Sequence, residues 1–239
     1  MTEERSQNNL CIIPARGGSK RIPRKNVRAF LGTPIIAFSI KAAQDSGLFD
    51  EVMVSTDDTE IAQMAQFYGA SVPFARSAET ANDHATTAAV LTEVLRTYAA
   101  SGRTFGRACC LYATAPLVTP DRLREAFGKL ETGGFDTVFP VVRYGFPVQR
   151  AVTFQNDRLT WLQPEHALTR SQDLPPVFHD AGQFYLFNVP HFLETGQLLT
   201  DNTSGIDVPE LEAQDIDTLT DWDLAELKYR LLWQQRTDK

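Results

Sequence analysis

The amino-acid sequence predicts an α/β fold in which helices cover both faces of a parallel, doubly wound sheet. Two observations indicate this class. Over the first 142 residues, short apolar runs alternate with helical patterns, as consecutive βαβ units require. After residue 143 the segments become shorter, which indicates a small β-rich insertion over residues 143–180. The length of 239 residues fits a single domain, 1–239, closed by the elements that follow the insertion.

The first half of the chain is expected to supply four strands and four helices. Several predicted helices begin at a residue that can cap them, such as Thr33 before Pro34, Asp57 or Asp58, and Asp121 in a first turn. In chain order we expect a strand at 10–14, a helix ending near 47, a strand at 51–55, a helix ending at 69, a helix at 86–100, a strand at 108–112, a helix at 120–130 and a strand at 137–142.

Fewer regular elements are predicted for the second half of the chain. Apolar residues at 152–154 and 159–162 flank a polar stretch and indicate a hairpin, and residues 164–176 are typical of a loop. A strand at 183–188 and an amphipathic helix at 221–233 follow. Ligands of such folds bind at the carboxyl ends of the strands. The loops after Pro14, Ser55, Tyr112 and Val142 are therefore the expected functional edge.

Composition and charge restrict the function further. Hydrophobic residues make up 43% and charged residues 22%, which is ordinary for a soluble globular protein. A net charge of −7 disfavours nucleic acid as a partner. Apolar runs such as 34–40 are too short to span a membrane, and the polar start MTEERSQNN lacks the apolar stretch of a signal peptide.

The three cysteines support a cytoplasmic location. Cys11, Cys109 and Cys110 form no CxxC pair, and the four histidines are scattered along the chain. Buried strand thiols are a better interpretation than a disulfide framework or a zinc site. A reducing compartment fits this usage.

Positive charge is concentrated in one short segment. Residues 16–28 contain six basic side chains and no acidic one, in a chain that is otherwise acidic. Gly17 and Gly18 follow the first strand closely and let backbone N–H groups approach phosphate oxygens. This is no Walker A loop, because GxxxxGK[ST] is absent. We interpret the loop Arg16 to Asn26 as a triphosphate cradle; the alternative is a solvated basic turn.

The same loop carries a resemblance to a known family. The string IIPARGGSKRIPRKN at 12–26 resembles the opening of the acylneuraminate cytidylyltransferase family. The likeness continues in VSTDD at 54–58, FARS at 74–77, LYATAPL at 111–117 and QDIDT at 214–218, so that it covers nearly the whole chain. Two positions depart from the family pattern: Ala113 stands where a proline is usual, and Tyr112 where many sialic-acid members carry glutamine.

The resemblance implies a fold and an activity. The fold is a Rossmann-like three-layer α/β/α nucleotidyltransferase fold of the nucleotide-diphospho-sugar transferase type, with a β-rich dimerisation insertion. The activity is transfer of CMP from CTP to the anomeric hydroxyl of a nonulosonic acid, with release of pyrophosphate. Implied nucleotide contacts are Arg16, Gly17, Gly18, Ser19, Lys20, Lys25, Asn26, Arg76, Asp83 and Thr87, and Arg16, Lys20 and Asp217 are the implied catalytic residues.

A magnesium site is expected at Asp215 and Asp217. The resemblance implies it, and the residues agree, because carboxylates at i and i+2 of an extended segment face the same side. Hard oxygen ligands suit Mg²⁺ beside a triphosphate. The alternative is that Asp217 caps the last helix.

The acceptor sugar is predicted from the segments at 169–174 and 178–185. They are most similar to family members that act on pseudaminic acid, and Ala181-Gly182 stands where sialic-acid members tend to carry Asn-Gly. Arg170 can match a sugar carboxylate with its planar guanidinium, or form a surface ion pair. His179 is either a sugar contact or a structural histidine. The implied sugar contacts are Arg170, Gln172, His179, Asp180, Gln183 and Tyr185.

Other functions stay open at this point. N-acetylneuraminate or legionaminate are alternative acceptors. A metal-dependent glycosyltransferase is disfavoured because Tyr112-Ala113-Thr114 stands where such enzymes carry an acidic DxD motif, and a silent nucleotide-binding module because the basic loop and both aspartates are intact. The resemblance implies a homodimer that exchanges contacts through residues 143–176. The expected partners are CTP and the sugar acid, with neither nucleic acid nor membrane.

Overall fold

The computed structural model describes residues 8–237, with side chains up to Trp233. The N-terminal segment on which the signal-peptide prediction depends lies largely outside the described residues. Among those residues, no helix combines the length and the apolar character that a membrane span needs.

The described residues form eleven strands and seven α-helices. The strands are β1 (Asn9–Pro14), β2 (Ala29–Phe30), β3 (Thr33–Pro34), β4 (Glu51–Ser55), β5 (Arg107–Leu111), β6 (Thr137–Arg143), β7 (Val152–Gln155), β8 (Arg158–Trp161), β9 (Phe178–Asp180), β10 (Phe184–Asn188) and β11 (Thr203–Asp207). The helices are α1 (Ile35–Ser46), α2 (Thr59–Phe67), α3 (Ala78–Ala81), α4 (Thr87–Ala100), α5 (Pro120–Gly133), α6 (Val189–Thr195) and α7 (Leu219–Thr237).

The central sheet has the strand order β11-β6-β10-β5-β1-β4, with β9 paired to β6. β1 runs parallel to β4 and β5, as the sequence predicts. The four strands that the first 142 residues contribute to this sheet all run in one direction, as predicted, but β10 from the second half of the chain inserts antiparallel between β5 and β6. Four consecutive residues of β10 are buried, which is typical of a central strand covered on both faces. Local pattern cannot reveal which neighbours such a strand will choose.

Two layers of helices cover this sheet, one on each face. Alternate residues of β1 point to opposite faces: Cys11 and Ile13 join a core with the inner sides of α1, α2 and α5, whereas Leu10 and Ile12 join a second core with α4 and α6. The three-layer α/β/α prediction is therefore confirmed.

Most predicted elements are found within a few residues of their expected positions, and three differences are informative. Thr33 and Pro34 pair with Ala29 and Phe30 in a two-residue ribbon, so Pro34 precedes α1 rather than opening it. The loop at 164–176 contains two short 3-10 turns. The strands β9 and β11 were not predicted.

A third apolar cluster lies under the basic loop. Ile22 of the loop packs with Ile216 and with Trp222 of α7, and all three side chains are buried. This packing fastens two distant segments, the loop after β1 and the segment before α7, to one another. The cations of the first and the carboxylates of the second are thereby brought together.

Candidate active site

The predicted functional edge holds a cleft of about 590 Å³. It opens above the carboxyl ends of β1 and β5, between the basic loop, the segment that joins α3 to α4, and the segment before α7. Its walls come from the loop (Arg16, Gly18, Ser19, Lys20, Arg21, Lys25, Asn26), from residues 76–90 (Arg76, Thr80, Asn82, Asp83, Ala85, Thr87, Val90), and from Pro14, Tyr112, Ala113, Thr114 and Asp215.

The conformation of the basic loop is fixed by its own hydrogen bonds. The Asn26 amide donates to the Arg16 carbonyl oxygen at 2.9 Å, and the Gly17 N–H donates to Asp57 Oδ1 at 3.0 Å. A Cβ at Gly17 would lie 2.7 Å from Asp58 Oδ2, closer than real Cβ contacts allow. A side chain at this position would have to displace Asp58, which caps α2, so the close approach favours glycine, and Asn26 acts partly as a brace for the loop.

Asp83 lies between two of the predicted phosphate-binding cations. Its carboxylate contacts the Arg16 guanidinium through one oxygen and the Lys20 ammonium through the other. Hydrogen bonds from Lys20 and Arg16 lower the pKa of Asp83 below its usual range. The carboxylate thus pairs with two of the cations that the sequence predicts for a triphosphate.

We expect Asp83→Asn to tighten the binding of CTP, because the incoming phosphates would no longer displace a carboxylate. The dissociation constant for CTP, measured by titration calorimetry, should fall several-fold, and its salt dependence should steepen as the cations gain net charge. Asp50→Asn, at a surface position outside the cleft, serves as the control. Weaker binding by Asp83→Asn would instead make this carboxylate part of the nucleotide site.

Arg76 is a buried cation that reaches the cleft. Arg76 is only 8% exposed, and its Nε has no hydrogen-bond partner among the described residues. Burial lowers the pKa of the guanidinium, an effect that the charges of Asp57 and Glu93 partly offset. A guanidinium held this way without an ion pair is prepared to receive an anion or a carbonyl oxygen.

The predicted metal ligands lie beside the same loop. The Lys25 ammonium donates to the Ile216 carbonyl oxygen at 2.7 Å and lies 3.8 Å from Asp217 Oδ1, while Arg21 Nη1 lies 2.6 Å from Asp217 Oδ2. Burial, and then the charge of Asp217, raises the pKa of Asp215. Because Ile216 points into the core, Asp215 and Asp217 project from the other side of the segment.

The alternative role for Asp217 is taken by other residues. Thr218 Oγ1 accepts the Asp221 N–H at 3.3 Å, and Asp221 Oδ2 accepts the Thr218 N–H at 2.7 Å and the Asp217 N–H at 3.1 Å. Such reciprocal bonding is that of a capping box. Asp217 is therefore not needed to cap α7, and its carboxylate pairs with Arg21 and Lys25 of the loop.

The two carboxylates fit a magnesium ion bound together with a polyphosphate. Mg²⁺ prefers oxygen ligands, and in nucleotide sites it typically takes one or two carboxylates, the rest being phosphate oxygens and water. Over residues 8–237, no group of three or more His, Cys, Asp or Glu side chains is placed to hold a metal. Asp215 and Asp217 alone would thus make a site that is complete only with the nucleotide.

Tyr112 forms part of the cleft wall and connects it to two predicted sugar residues. Its hydroxyl lies 3.4 Å from Thr87 Oγ1, and its ring meets that of Tyr185 edge-on at 5.9 Å between centroids. The Tyr185 hydroxyl donates to Asp180 Oδ2, while Asp180 Oδ1 accepts the Gly182 N–H at 2.8 Å. Asp180 and Tyr185 therefore belong to a polar chain that ends at the cleft.

The other predicted sugar residues are placed differently. Gln183 is 3% exposed and donates to the Glu212 carbonyl oxygen at 2.7 Å, so it packs rather than faces solvent. Arg170 forms an exposed ion pair with Asp173 at 2.7 Å, which is the alternative that the sequence left open. His179 is exposed, and its Nδ1 lies 2.8 Å from the Asp180 carbonyl oxygen. Gln172 lines a separate cavity of about 720 Å³ at the base of the insertion.

Sequence reasoning missed several residues of the site. Thr80, Asn82 and Thr114 line the cleft, and Asp57 holds the basic loop through Gly17. The signal for Asp57 was available, because β1 and β4 are parallel neighbours and the loops at their carboxyl ends must meet. Thr114 lies in the loop after Tyr112, which the sequence assigns to the functional edge, whereas Thr80 and Asn82 carry no comparable local pattern.

Comparison with known proteins places the chain among nucleotide-using enzymes. The family model described as Cytidylyltransferase matches residues 10–220. The chain is 40% identical over 224 residues to the pseudaminic acid cytidylyltransferase of Campylobacter jejuni, covering 93% of this chain and 97% of that protein. It is 31% identical to the CMP-N,N'-diacetyllegionaminic acid synthase of Legionella pneumophila, covering 91% of this chain and 94% of that one.

A solved structure supports the same fold. It is that of CMP:2-keto-3-deoxy-manno-octonic acid synthetase complexed with CTP, and it aligns with a TM-score of 0.68 over 95% of this chain and 99% of the other. The sequence identity is 18%, so this likeness bears on the fold alone.

Proposed function

Because the chain belongs to the cytidylyltransferase family, we propose that it transfers CMP from CTP to the anomeric hydroxyl of pseudaminic acid and releases pyrophosphate. The observation that carries this proposal is the cleft after β1, where a cationic glycine loop faces a pair of carboxylates. The acceptor is taken from the relative in Campylobacter jejuni, whose length the chain matches almost fully.

The reaction requires little covalent chemistry from the protein. The sugar hydroxyl oxygen attacks the α-phosphorus of CTP, the bond from that phosphorus to the bridging oxygen breaks, and pyrophosphate leaves with the bonding electrons. The hydroxyl proton passes to solvent or to a nearby carboxylate. Arg16 and Lys20 would neutralise charge on the transferring and leaving phosphates, once Asp83 has given them up.

Magnesium is the cofactor that this site would use, held by Asp215 and Asp217 together with phosphate oxygens. The ion would supply Lewis-acid stabilisation of the charge that develops on the phosphates. Lys25 contributes from the protein side, because its ammonium is fixed by the Ile216 carbonyl oxygen and stands beside both carboxylates. It would limit the repulsion between these carboxylates before the ion arrives.

Supporting features on the acceptor side are Tyr112, Tyr185 and Asp180. The Tyr112 and Tyr185 rings meet edge-on, and the Tyr185 hydroxyl donates to Asp180, so that the three residues form a wall next to the nucleotide cleft, where the attacking sugar would lie. Tyr112 stands where the resemblance places glutamine in many sialic-acid members. A different wall at this point is consistent with an acceptor other than N-acetylneuraminate.

The test is a panel of acceptors with CTP and Mg²⁺, followed by pyrophosphate release. We expect pseudaminic acid to give the highest kcat/KM, ahead of legionaminic and N-acetylneuraminic acids. Preference for one of the other two acids would correct the acceptor but keep the reaction. Absence of pyrophosphate release with every acid, despite CTP binding, would favour a silent nucleotide-binding module.

We also propose a homodimer formed through the insertion. One face of the β7–β8 hairpin presents four exposed apolar side chains, because Phe154 pairs with Leu159 and Val152 with Trp161 across the two strands. Phe154 is 70% and Leu159 64% exposed. A contiguous apolar face of this kind marks an interaction surface.

The dimer is tested by replacing this pair. We expect the wild type to have the mass of two chains by light scattering, and Phe154→Ser/Leu159→Ser to shift it toward one chain. Phe67→Ser is the matched control, since Phe67 is 80% exposed on α2, outside the insertion. A wild type of monomeric mass with full activity would contradict the proposal.

A cytoplasmic location is the remaining part of the proposal. Cys11, Cys109 and Cys110 are all free and buried in the sheet, which fits a reducing compartment. Burial keeps the pKa of Cys110 raised, so the thiol stays protonated and unreactive. Fractionation of cells with an antibody to the chain would test the location.

A further inference from the structure

We propose that Arg24 and Asp58 form a clamp that positions the phosphate-binding loop, with neither residue touching the nucleotide. This inference rests on the proposed function of the loop and adds two positioning residues to it. The sequence places Arg24 among the cations of the cradle, and Asp58 at a helix cap. In the structure Asp58 does cap α2, and it also binds the Arg24 guanidinium, which is not part of the cleft wall.

The Arg24 side chain is directed away from the cleft. Its Nη1 lies 2.6 Å from Asp58 Oδ2 and its Nη2 3.0 Å from Asp58 Oδ1, so the fork grips the carboxylate with both nitrogens. The same Nη2 contacts Glu60 in the first turn of α2. Neither carboxylate belongs to the cleft wall, nor does Arg24 itself. The guanidinium is thus committed to α2 and is not available to a phosphate.

The backbone at Arg24 shows that this arrangement is specific. Arg24 has φ 55° and ψ 30°, the left-handed conformation that a non-glycine residue adopts at a cost. This residue also sits at the start of the 3-10 turn that carries Lys25 and Asn26, and its carbonyl oxygen accepts the Val27 and Arg28 N–H groups. Contacts of the side chain therefore determine how that turn, and the Lys25 ammonium with it, is oriented.

Asp58 connects the clamp to the other end of the loop. Its Oδ1 caps α2 by accepting the Ile61 N–H at 3.0 Å. Its Oδ2 lies 2.7 Å from the place where a Cβ on Gly17 would be, so carboxylate and glycine backbone are in contact. Hydrogen bonding from Arg24 lowers the pKa of Asp58 to about 2, so the pair stays charged at neutral pH. The carboxylate thus touches both ends of the loop, at Gly17 and at Arg24.

A positioning role and a purely electrostatic role of Asp58 predict opposite changes in CTP affinity for the same substitution. Asp58→Asn removes a negative charge close to the phosphate loop, so a purely electrostatic role predicts tighter binding of CTP. A positioning role predicts weaker binding, because the amide cannot take both guanidinium nitrogens as charge-assisted bonds. Asparagine keeps the helix cap, since Asn and Asp serve equally well there. The sign of the change therefore separates the two roles without removing the cap.

The experiment measures CTP affinity by calorimetry and the steady-state constants of the full chain. We expect Asp58→Asn to raise the dissociation constant and the KM for CTP on the order of tenfold, with the KM for the sugar acid at saturating CTP unchanged. Arg24→Asn, which tolerates the left-handed backbone, should have a similar effect. The double variant should be no worse than either single one. Arg24→Lys should rescue little, because an ammonium cannot grip both oxygens.

The controls separate failure of this inference from failure of the proposed function. Asp121→Asn breaks a more exposed ion pair, with Arg124 on α5 and away from the loop, and should leave the CTP constants unchanged. If the wild type binds CTP and Asp58→Asn binds it equally well or more tightly, the clamp is overturned and the assignment of the loop to CTP stands. A wild type that binds neither CTP nor inorganic tripolyphosphate overturns the assignment of the loop, and the clamp with it.

Discussion

Replacing Asp217 by alanine is expected to lower kcat roughly 10²–10³-fold, the loss typical when one transition-state-stabilising group is removed. In the proposed site, Asp215 and Asp217 would be the protein ligands of a magnesium ion, and the substitution would leave Asp215 as the single one. The Mg²⁺ concentration that gives half-maximal activity should rise as well. Pyrophosphate release at saturating CTP and sugar, over a series of Mg²⁺ concentrations, measures both effects.

The fold should survive this substitution. Asp217 is partly exposed and its ion pairs with Arg21 and Lys25 lie at the surface of the cleft, where such pairs contribute about 0–1 kcal/mol. The cap of α7 rests on Thr218 and Asp221 instead. Asp223→Asn, on the exposed side of α7, is the matched control. A near-normal kcat for Asp217→Ala, with an unchanged melting temperature, would show that the metal assignment is wrong.

Replacing Arg16 by alanine should have the second-largest effect, on kcat/KM for CTP. We expect a loss on the order of 10²-fold, because Arg16 would offset charge on the phosphates in the ground state and more so during transfer. Lys20 would then face the triphosphate without its neighbour. Initial rates over a range of CTP concentrations, at saturating sugar, measure the change.

The basic segment contains its own control for this variant. The Arg28 guanidinium lies over the ring of Trp222, 5.3 Å from its centroid, and is not part of the cleft wall. Arg28→Ala removes the same charge from the same segment and should leave kcat/KM for CTP nearly unchanged. Equal losses in Arg16→Ala and Arg28→Ala would mean that the segment acts through its total charge and not through a defined cradle.

Much of the site follows from features that are local in sequence. A strand followed by two glycines and a segment with six cations predicts an anion site. Asp215 and Asp217, at i and i+2 of an extended segment, predict two carboxylates on the same side of that segment. Both predictions depend only on backbone period and residue chemistry. The structure places four of the six cations and Asp215 in the wall of one cleft, and Lys25 lies 3.8 Å from Asp217; Arg24 and Arg28 are not part of that wall.

The acceptor side was less predictable. Asp180 and Tyr185 reach the cleft wall through Tyr112, whereas Gln183 turns inward and is buried against the Glu212 carbonyl oxygen. Gln183 precedes β10 and follows Gly182, whose φ is 65°, so the alternation of the strand does not determine the direction of its side chain. Arg170 illustrates a second reason, because an acid three residues away in sequence forms an ion pair with it.

By itself, the sequence determined the α/β class, most of the strands and helices, the cationic loop and the paired carboxylates. These depend on short-range periodicity, capping and charge. Only the tertiary structure decided that β10 separates β5 from β6, that Asp83 lies between Arg16 and Lys20, and that Arg24 grips Asp58. Each of these involves residues at least 34 positions apart, whose meeting is set by how the sheet packs. The positive charge of the loop Arg16 to Asn26 can thus be predicted from the sequence, whereas the partners of its individual cations depend on the fold.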